Sequence, residues 1–92
     1  MKERRSKTQI LVDILRLVHR KGGTAKSTHI LYGANLSHKR LKLYLDALIE
    51  NGFLEMVSER GHTHFKITKK GVQFIVEFRK IQEITDAFGI PI

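Results

Sequence analysis

Basic side chains cluster directly after Ser37: they are His38, Lys39, Arg40 and Lys42. Ser37 is suited to cap a helix, because its hydroxyl can accept a hydrogen bond from a free backbone N–H of the first turn. Apolar residues then recur at helical spacing and predict one buried face; they are Leu41, Tyr44, Leu45 and Leu48. A helix over residues 37–50 that offers cations from its first turn suits the major groove of DNA, and we expect Ser37 and the four basic residues to contact it.

The segments before this helix predict the first half of a helix-turn-helix. Ser6 or Thr8 begins a first helix, and the glycine pair at residues 22–23 ends it. Thr24 is expected to cap a second, shorter helix that reaches about residue 32. Residues 33–35 then form the turn that leads into the basic helix.

The segments after this helix predict a hairpin and a last helix. Residues 53–58 and 62–67 have strand composition and flank a turn signal. Thr68 is expected to cap a helix that extends to about residue 88. The predicted fold is therefore mainly α with a small β-hairpin, a winged helix-turn-helix of order α-α-α-β-β-α with a long C-terminal helix. We divide it into a DNA-binding domain, residues 1–68, and a dimerisation helix, residues 69–92, packed on the same domain.

Two further basic features extend the predicted contact surface. Arg60 lies at the hairpin tip with His62 beside it, where such side chains commonly reach the DNA backbone or the minor groove. An ordinary solvated turn is the alternative, because two nearby glutamates dilute the positive charge. Arg4 and Arg5 belong to a basic N-terminal segment, which either follows DNA as an arm or is a solvated chain end.

The last helix carries an apolar stripe that is longer than a small domain can cover. Its members are Phe74, Phe78, Ile81, Ile84, Thr85 and Phe88. If these residues were exposed, they would form an aggregation-prone patch. Pairing with the same stripe of a second chain, in a two-fold symmetric contact, would bury the patch. We therefore expect a homodimer; the alternative is a helix that folds back on its own domain.

Composition limits the remaining function classes. The 92 residues suffice for one small domain, and 17 Lys and Arg against 9 Asp and Glu give a net charge of +8. This excess favours an anionic partner. The absence of cysteine excludes disulfides and thiolate sites, and no apolar run approaches the ~20 residues that span a bilayer. We expect a cytoplasmic, nucleoid-associated protein without a membrane partner.

No residue pattern predicts catalysis, a cofactor or a small-molecule effector. The carboxylates are few and dispersed, and the glycines mark turns. His62 and His64 share a strand face, but two imidazoles without a third ligand make a weak metal site. We therefore expect no metal and no enzyme activity.

The runs YGANLS and ITKKG carry a resemblance that spans about residues 6–85. The chain resembles archaeal winged-helix DNA-binding proteins of the Sulfolobus ten-a type and the broader set of archaeal winged-helix predicted transcription regulators. The resemblance implies double-stranded DNA binding in a regulatory or architectural role, and dimerisation through the C-terminal helix as an antiparallel coiled coil. The last helix is expected to be shorter here than in the ten-a proteins.

Three functions remain in order of preference. The first is a homodimeric double-stranded DNA-binding protein. The second is a winged-helix protein-protein interaction module in a larger assembly, which the apolar stripe fits equally well if the second chain is a different one. RNA binding ranks last, because the aromatic residues fall mostly at core or stripe positions and bases would lack a stacking surface.

Overall fold

The computed structural model describes residues 5–90 and confirms the winged-helix architecture. Its elements in chain order are α1 (Lys7–Arg20), β1 (Thr24–Ala25), α2 (Ser27–Gly33), α3 (His38–Glu50), β2 (Leu54–Glu59), β3 (His62–Ile67) and α4 (Lys69–Ala87). Three of the predicted caps are present. Ser6, Ser37 and Thr68 each accept a hydrogen bond from the backbone N–H three residues ahead.

The sheet contains one strand that the sequence did not predict. Thr24 was expected to cap α2, but Thr24 and Ala25 instead form β1 and pair antiparallel with Lys66 and Phe65 of β3. Lys26 occupies the N-cap position of α2 without a side-chain hydrogen bond. The three strands are arranged in the order β1-β3-β2. A two-residue strand has no sequence signal of its own, because its partner lies about forty residues away in the chain.

A tight turn joins β2 and β3 into the wing, residues 54–67. Glu59 pairs with His62, so the turn consists of Arg60 and Gly61 alone. Both residues have positive φ, 51° and 78°, as the favoured two-residue hairpin turn requires. The inner face of the wing contributes Leu54, Phe65 and Ile67 to the core.

The core lies between the helices and the inner face of the sheet. Its largest fully buried side chains come from α1, α2, α3 and β2; they are Ile14, Leu15, Ile30, Leu48 and Leu54. No polar or charged side chain is buried within residues 5–90. The apolar area removed from water therefore holds the helices and the wing together, at about 1.5–3 kcal/mol for each fully buried large side chain.

Helix α4 begins in contact with the turn that follows α3. The Thr68 backbone N–H donates to Phe53 O at 3.1 Å, and its hydroxyl donates to Gly52 O at 2.6 Å. Gly71 lies so close to this turn that a Cβ there would overlap Phe53 O and stand 2.7 Å from Ile67 Cγ1. Only glycine allows the helix to approach the turn this closely.

Arg5 connects the segment before α1 to the helix-turn-helix. One terminal nitrogen of its guanidinium is 2.9 Å from Asp13 Oδ2 in α1. The other donates to Ala34 O at 2.7 Å, in the turn between α2 and α3. That turn includes Asn35 at φ 54°. Arg5 therefore ties the segment before α1 to α1 itself and to the turn between α2 and α3.

We predict that Gly71→Ala destabilises the protein by about 1–3 kcal/mol, because the added methyl overpacks the contact with Phe53. Helix propensity alone would favour alanine over glycine by about 1 kcal/mol. Denaturant unfolding measures the difference. Gly33→Ala is the matched control: the nearest atom to its new Cβ would be Leu17 Cδ2 at 2.7 Å, the mobile end of a side chain that can rotate away. A Gly71→Ala variant as stable as the parent would contradict the proposed packing.

We also predict a measurable coupling between Arg5 and Asp13. A double-mutant cycle of Arg5→Ala and Asp13→Ala, followed by denaturant unfolding, should give a coupling free energy of about 0.5–1 kcal/mol. The Arg79–Glu83 pair is the control, since its atoms are 3.7 Å apart and its side chains are well exposed. Equal coupling in the two pairs would mean that the Arg5 contact is no firmer than a surface ion pair.

Candidate nucleic-acid interface

Helix α3 has one face inside the protein and one face outside. Leu41, Tyr44, Leu45 and Leu48 are buried, as the periodicity predicted. The outer face carries Lys39, then Leu43 one turn later, with 64% of its surface exposed. Asp46 and Glu50 follow further along the same exposed side. The helix therefore presents a cationic amino-terminal end, an apolar middle and an acidic carboxyl-terminal end.

Ser37 fixes where this cationic end begins. Its hydroxyl accepts a hydrogen bond from the Arg40 backbone N–H at 3.3 Å. This bond satisfies one of the free donors at the start of the helix. Ser37 remains exposed, so its hydroxyl hydrogen is available to an acceptor outside the protein. The residue acts first as the cap that positions the basic side chains.

The four basic side chains at the start of α3 differ in whether they already have hydrogen-bond or ion-pair partners. His38 and Lys39 make no side-chain hydrogen bond or ion pair within residues 5–90. The Arg40 guanidinium lies 5.8 Å from the centroid of the Tyr44 ring and donates to its hydroxyl at 3.3 Å. Tyr44 therefore holds Arg40 in one orientation at the edge of the exposed face.

Lys42 is partly neutralised by Asp46. Its Nζ lies 3.4 Å from Asp46 Oδ2, one turn along α3, and both side chains are well exposed. Exposed pairs of this kind contribute only about 0.3–0.5 kcal/mol. The lysine can therefore exchange its carboxylate partner for a phosphate at little cost, while Lys39 needs no exchange.

The wing places Arg60 at the outermost point of its turn. Arg60 is exposed, and the positive φ of this residue and of Gly61 makes the turn as short as a hairpin permits. His62, also exposed, begins β3 directly after the turn. Its partner across the wing is Glu59, so the tip is cationic while the strand behind it is close to neutral.

The N-terminal arm differs from its prediction. Arg4 lies outside the described residues. Arg5 was expected to be a free cation, but its guanidinium is bound to Asp13 and to the carbonyl of Ala34. The Arg5 guanidinium is therefore already paired within the chain, and we remove Arg5 from the candidate contacts. Sequence composition cannot reveal this, because the carbonyl partner is brought near only by the folded chain.

The apolar stripe of α4 is divided into an inner and an outer part. Phe78 was expected to face a second chain, but it is only 6% exposed and is covered by its own protomer. Phe74 packs against the core and stacks on Phe53 with ring centroids 4.7 Å apart. Beyond Phe78 the cover ends: Ile84 is 59% and Phe88 77% exposed.

The remaining members of the stripe agree with this division. Ile81 is exposed. Thr85 is half-buried, because its hydroxyl turns back to donate to Gln82 O at 3.0 Å. Val76, an apolar residue of the first half of α4 outside the stripe, is also exposed. The residues that stay uncovered toward the end of α4 are therefore Ile81, Ile84 and Phe88, and we call them the outer stripe.

Sequence reasoning overlooked two features that the fold brings to the surface. Tyr32, at the end of α2, is 80% exposed. Lys26 and His29 line a depression together with His64. A scattered histidine and a lysine before a helix carry no local signal, because only the pairing of β1 with β3 brings these residues near each other.

Within residues 5–90 no group of three or more potential metal ligands is present. No helix in this part of the chain is long and apolar enough to cross a bilayer.

Comparison with known proteins identifies relatives over nearly the full length. An uncharacterized protein of Methanocaldococcus jannaschii is 30% identical over 84 residues, which cover 91% of this chain and 80% of that protein. The structure of Sso10a-2, a DNA-binding protein from Sulfolobus solfataricus, matches with a TM-score of 0.74 and 31% identity, over 92% of this chain and 90% of that one.

A more distant structure shares the fold. F93 from STIV, a winged-helix DNA-binding protein, matches with a TM-score of 0.73 and 15% identity, over 87% of this chain and 92% of that one. The model of the winged helix-turn-helix family matches residues 4–86. With its second helix, its third helix and its wing in the arrangement described above, the chain belongs to the winged helix-turn-helix family.

Proposed function

We propose that the protein binds double-stranded DNA as a homodimer, in the role of a transcription regulator or a chromatin-architectural factor. The observation that carries the proposal is the division of α3. Its buried face anchors the helix, and its exposed amino-terminal end presents His38 and Lys39 without partners in residues 5–90. The proposal gives the protein a binding role instead of a catalytic one, and DNA binding would place it on the nucleoid.

Charge along α3 favours one docking direction. Phosphates attract the basic end and repel Asp46 and Glu50, so we place the first half of the helix in the major groove. Lys39 and Arg40 would contact phosphates or base edges there. Leu43 lies one turn after Lys39 on the exposed face, where an apolar side chain suits a thymine methyl group.

The wing would add a second contact. Arg60 at its tip, with His62 next to it, suits the adjacent backbone or minor groove. The Sulfolobus structure, a DNA-binding protein at 31% identity over most of both chains, supports the same role for this fold. We propose Ser37, His38, Lys39, Arg40, Lys42, Arg60 and His62 as the contact residues.

The outer stripe supports the homodimer. Ile81, Ile84 and Phe88 occupy successive turns of α4 and are all exposed. A two-fold contact between two copies would bury the same side chains from each, with Thr85 beside them. Phe78 and Phe74 would support the helix from within each protomer.

We predict that replacing Lys39 and Arg40 together by alanine weakens duplex binding by at least about tenfold at low salt. Loss of these two contacts should lower the slope of log affinity against log salt concentration by up to about 2. Mobility-shift titrations on one duplex at several salt concentrations measure both quantities. Arg79→Ala is the control, since it also removes an exposed cation. Arg79 lies outside α3 and the wing, and it is about 200° around α4 from Ile81 of the outer stripe. Unchanged binding by the double variant would remove α3 from the interface.

We predict that Ile84→Glu converts the dimer to a monomer, because it places two charges in a small apolar contact. Sedimentation at micromolar concentration measures the mass. Met56→Glu is the matched control: Met56 is also an exposed large apolar side chain, but it belongs to β2 and not to α4. The wild type sedimenting as a monomer would contradict the homodimer and favour a different protein as the occupant of the stripe.

A further inference from the structure

A shallow depression of about 220 Å³ opens where β1 meets α2. It is lined by Thr24, Ala25, Lys26, His29 and His64. These residues come from three segments of the chain, and none of them belongs to α3 or to the tip of the wing. The depression is therefore distinct from the contact residues proposed above.

The pairing of β1 with β3 creates the depression. Ala25 pairs with Phe65, which places His64 beside the end of the short strand. Lys26 follows Ala25 directly, and His29 is in the first turn of α2. Across the wing, the partner of His64 is Val57, which carries no charge. Directly across the strand, His64 therefore faces no acidic residue; Glu55 and Glu59, the next residues on that face of β2, are opposite Lys66 and His62.

The lining side chains offer hydrogen-bond donors and positive charge. Lys26 supplies an ammonium group, Thr24 a hydroxyl, and His29 and His64 each an imidazole that has at least one N–H. None of the residues that line the depression is acidic. The Lys26, His29 and His64 side chains also make no hydrogen bond or ion pair within residues 5–90.

This chemistry selects an oxyanion over a metal ion. Two imidazoles are one ligand short of a typical zinc site, and an ammonium group among them repels a cation. An oxyanion instead gains charge-assisted hydrogen bonds from all of these donors. The volume is below the roughly 300–1,000 Å³ of pockets for drug-sized ligands, so the site suits one phosphate-sized group.

We propose that Lys26, His29 and His64 form a binding site for a phosphate-type oxyanion. Two sources have this chemistry: a phosphate of the DNA backbone, or a free phosphate or phosphorylated small molecule. The DNA source rests on the proposed function. It is supported by the position of His64, two residues after His62 on the same face of β3, which places the site on the strand that carries a proposed wing contact.

A phosphate titration of the full chain tests the site itself. Inorganic phosphate replaces chloride at constant ionic strength, and proton–nitrogen correlation spectra follow the backbone and imidazole signals. Saturable shifts confined to the neighbourhood of Lys26, His29 and His64 are expected. Lys26→Gln, which removes the charge but keeps a hydrogen-bond donor on a side chain one atom shorter, should weaken phosphate affinity about tenfold, and His64→Gln should weaken it in the same direction. Arg79→Gln is the matched control for the loss of one charge.

The salt dependence of duplex binding identifies the source. If the site takes a backbone phosphate, Lys26→Gln lowers the slope of log affinity against log salt concentration by about 1, while Arg79→Gln leaves it unchanged. An unchanged slope, together with phosphate binding that Lys26→Gln weakens, keeps the site and assigns it to a free oxyanion. Circular dichroism of each variant confirms that the fold is retained.

Two outcomes separate this inference from the proposed function. Phosphate shifts that do not saturate, or that persist unchanged in both variants, would overturn the site whatever the protein does with DNA. A wild-type protein that binds phosphate but no duplex would refute the proposed function and leave the oxyanion site standing with a free ligand.

Discussion

The close contact between Gly71 and the carbonyl of Phe53 governs how the two functional helices are placed. It brings the first turn of α4 against the turn that ends α3. Thr68 and Lys70 reinforce it, since the Lys70 ammonium donates to Asn51 O at 2.8 Å. This junction therefore fixes how closely the start of α4 approaches the end of α3. In the proposed dimer, the same junction would set the separation of the two α3 helices and thus the spacing of DNA half-sites.

Net charge alone gives a poor description of the surface that meets a polyanion. Several of the basic side chains have partners within the described part of the chain: Arg5, Arg40, Lys42, Lys70, Arg79 and Lys80. Arg5 and Lys70 act as ties between segments of the fold. What remains near α3 is a small group led by Lys39, so the proposed interface depends on which cations are unpaired or only weakly paired as well as on how many exist.

Helix α4 shows how one apolar pattern can serve two purposes. Its first half contributes to the core through Val72, Phe74, Ile75 and Phe78, and its second half leaves Ile81, Ile84 and Phe88 exposed. A protein of this size covers about half of a helix of 19 residues and presents the rest to a neighbour. This arrangement combines folding and the proposed assembly in one element.

The amino-acid pattern was enough to predict the helices, the hairpin, the three caps and the exposed basic end of α3, because each depends on periodicity or on contacts within a few residues. It did not determine strand β1, the inward position of Phe78 or the internal use of Arg5. These depend on partners brought together from distant parts of the chain, such as Lys66 for Thr24 and the carbonyl of Ala34 for Arg5. Local patterns indicate which side chains are apolar or charged. Whether those side chains are already covered or paired depends on long-range packing, which is seen only in the folded chain.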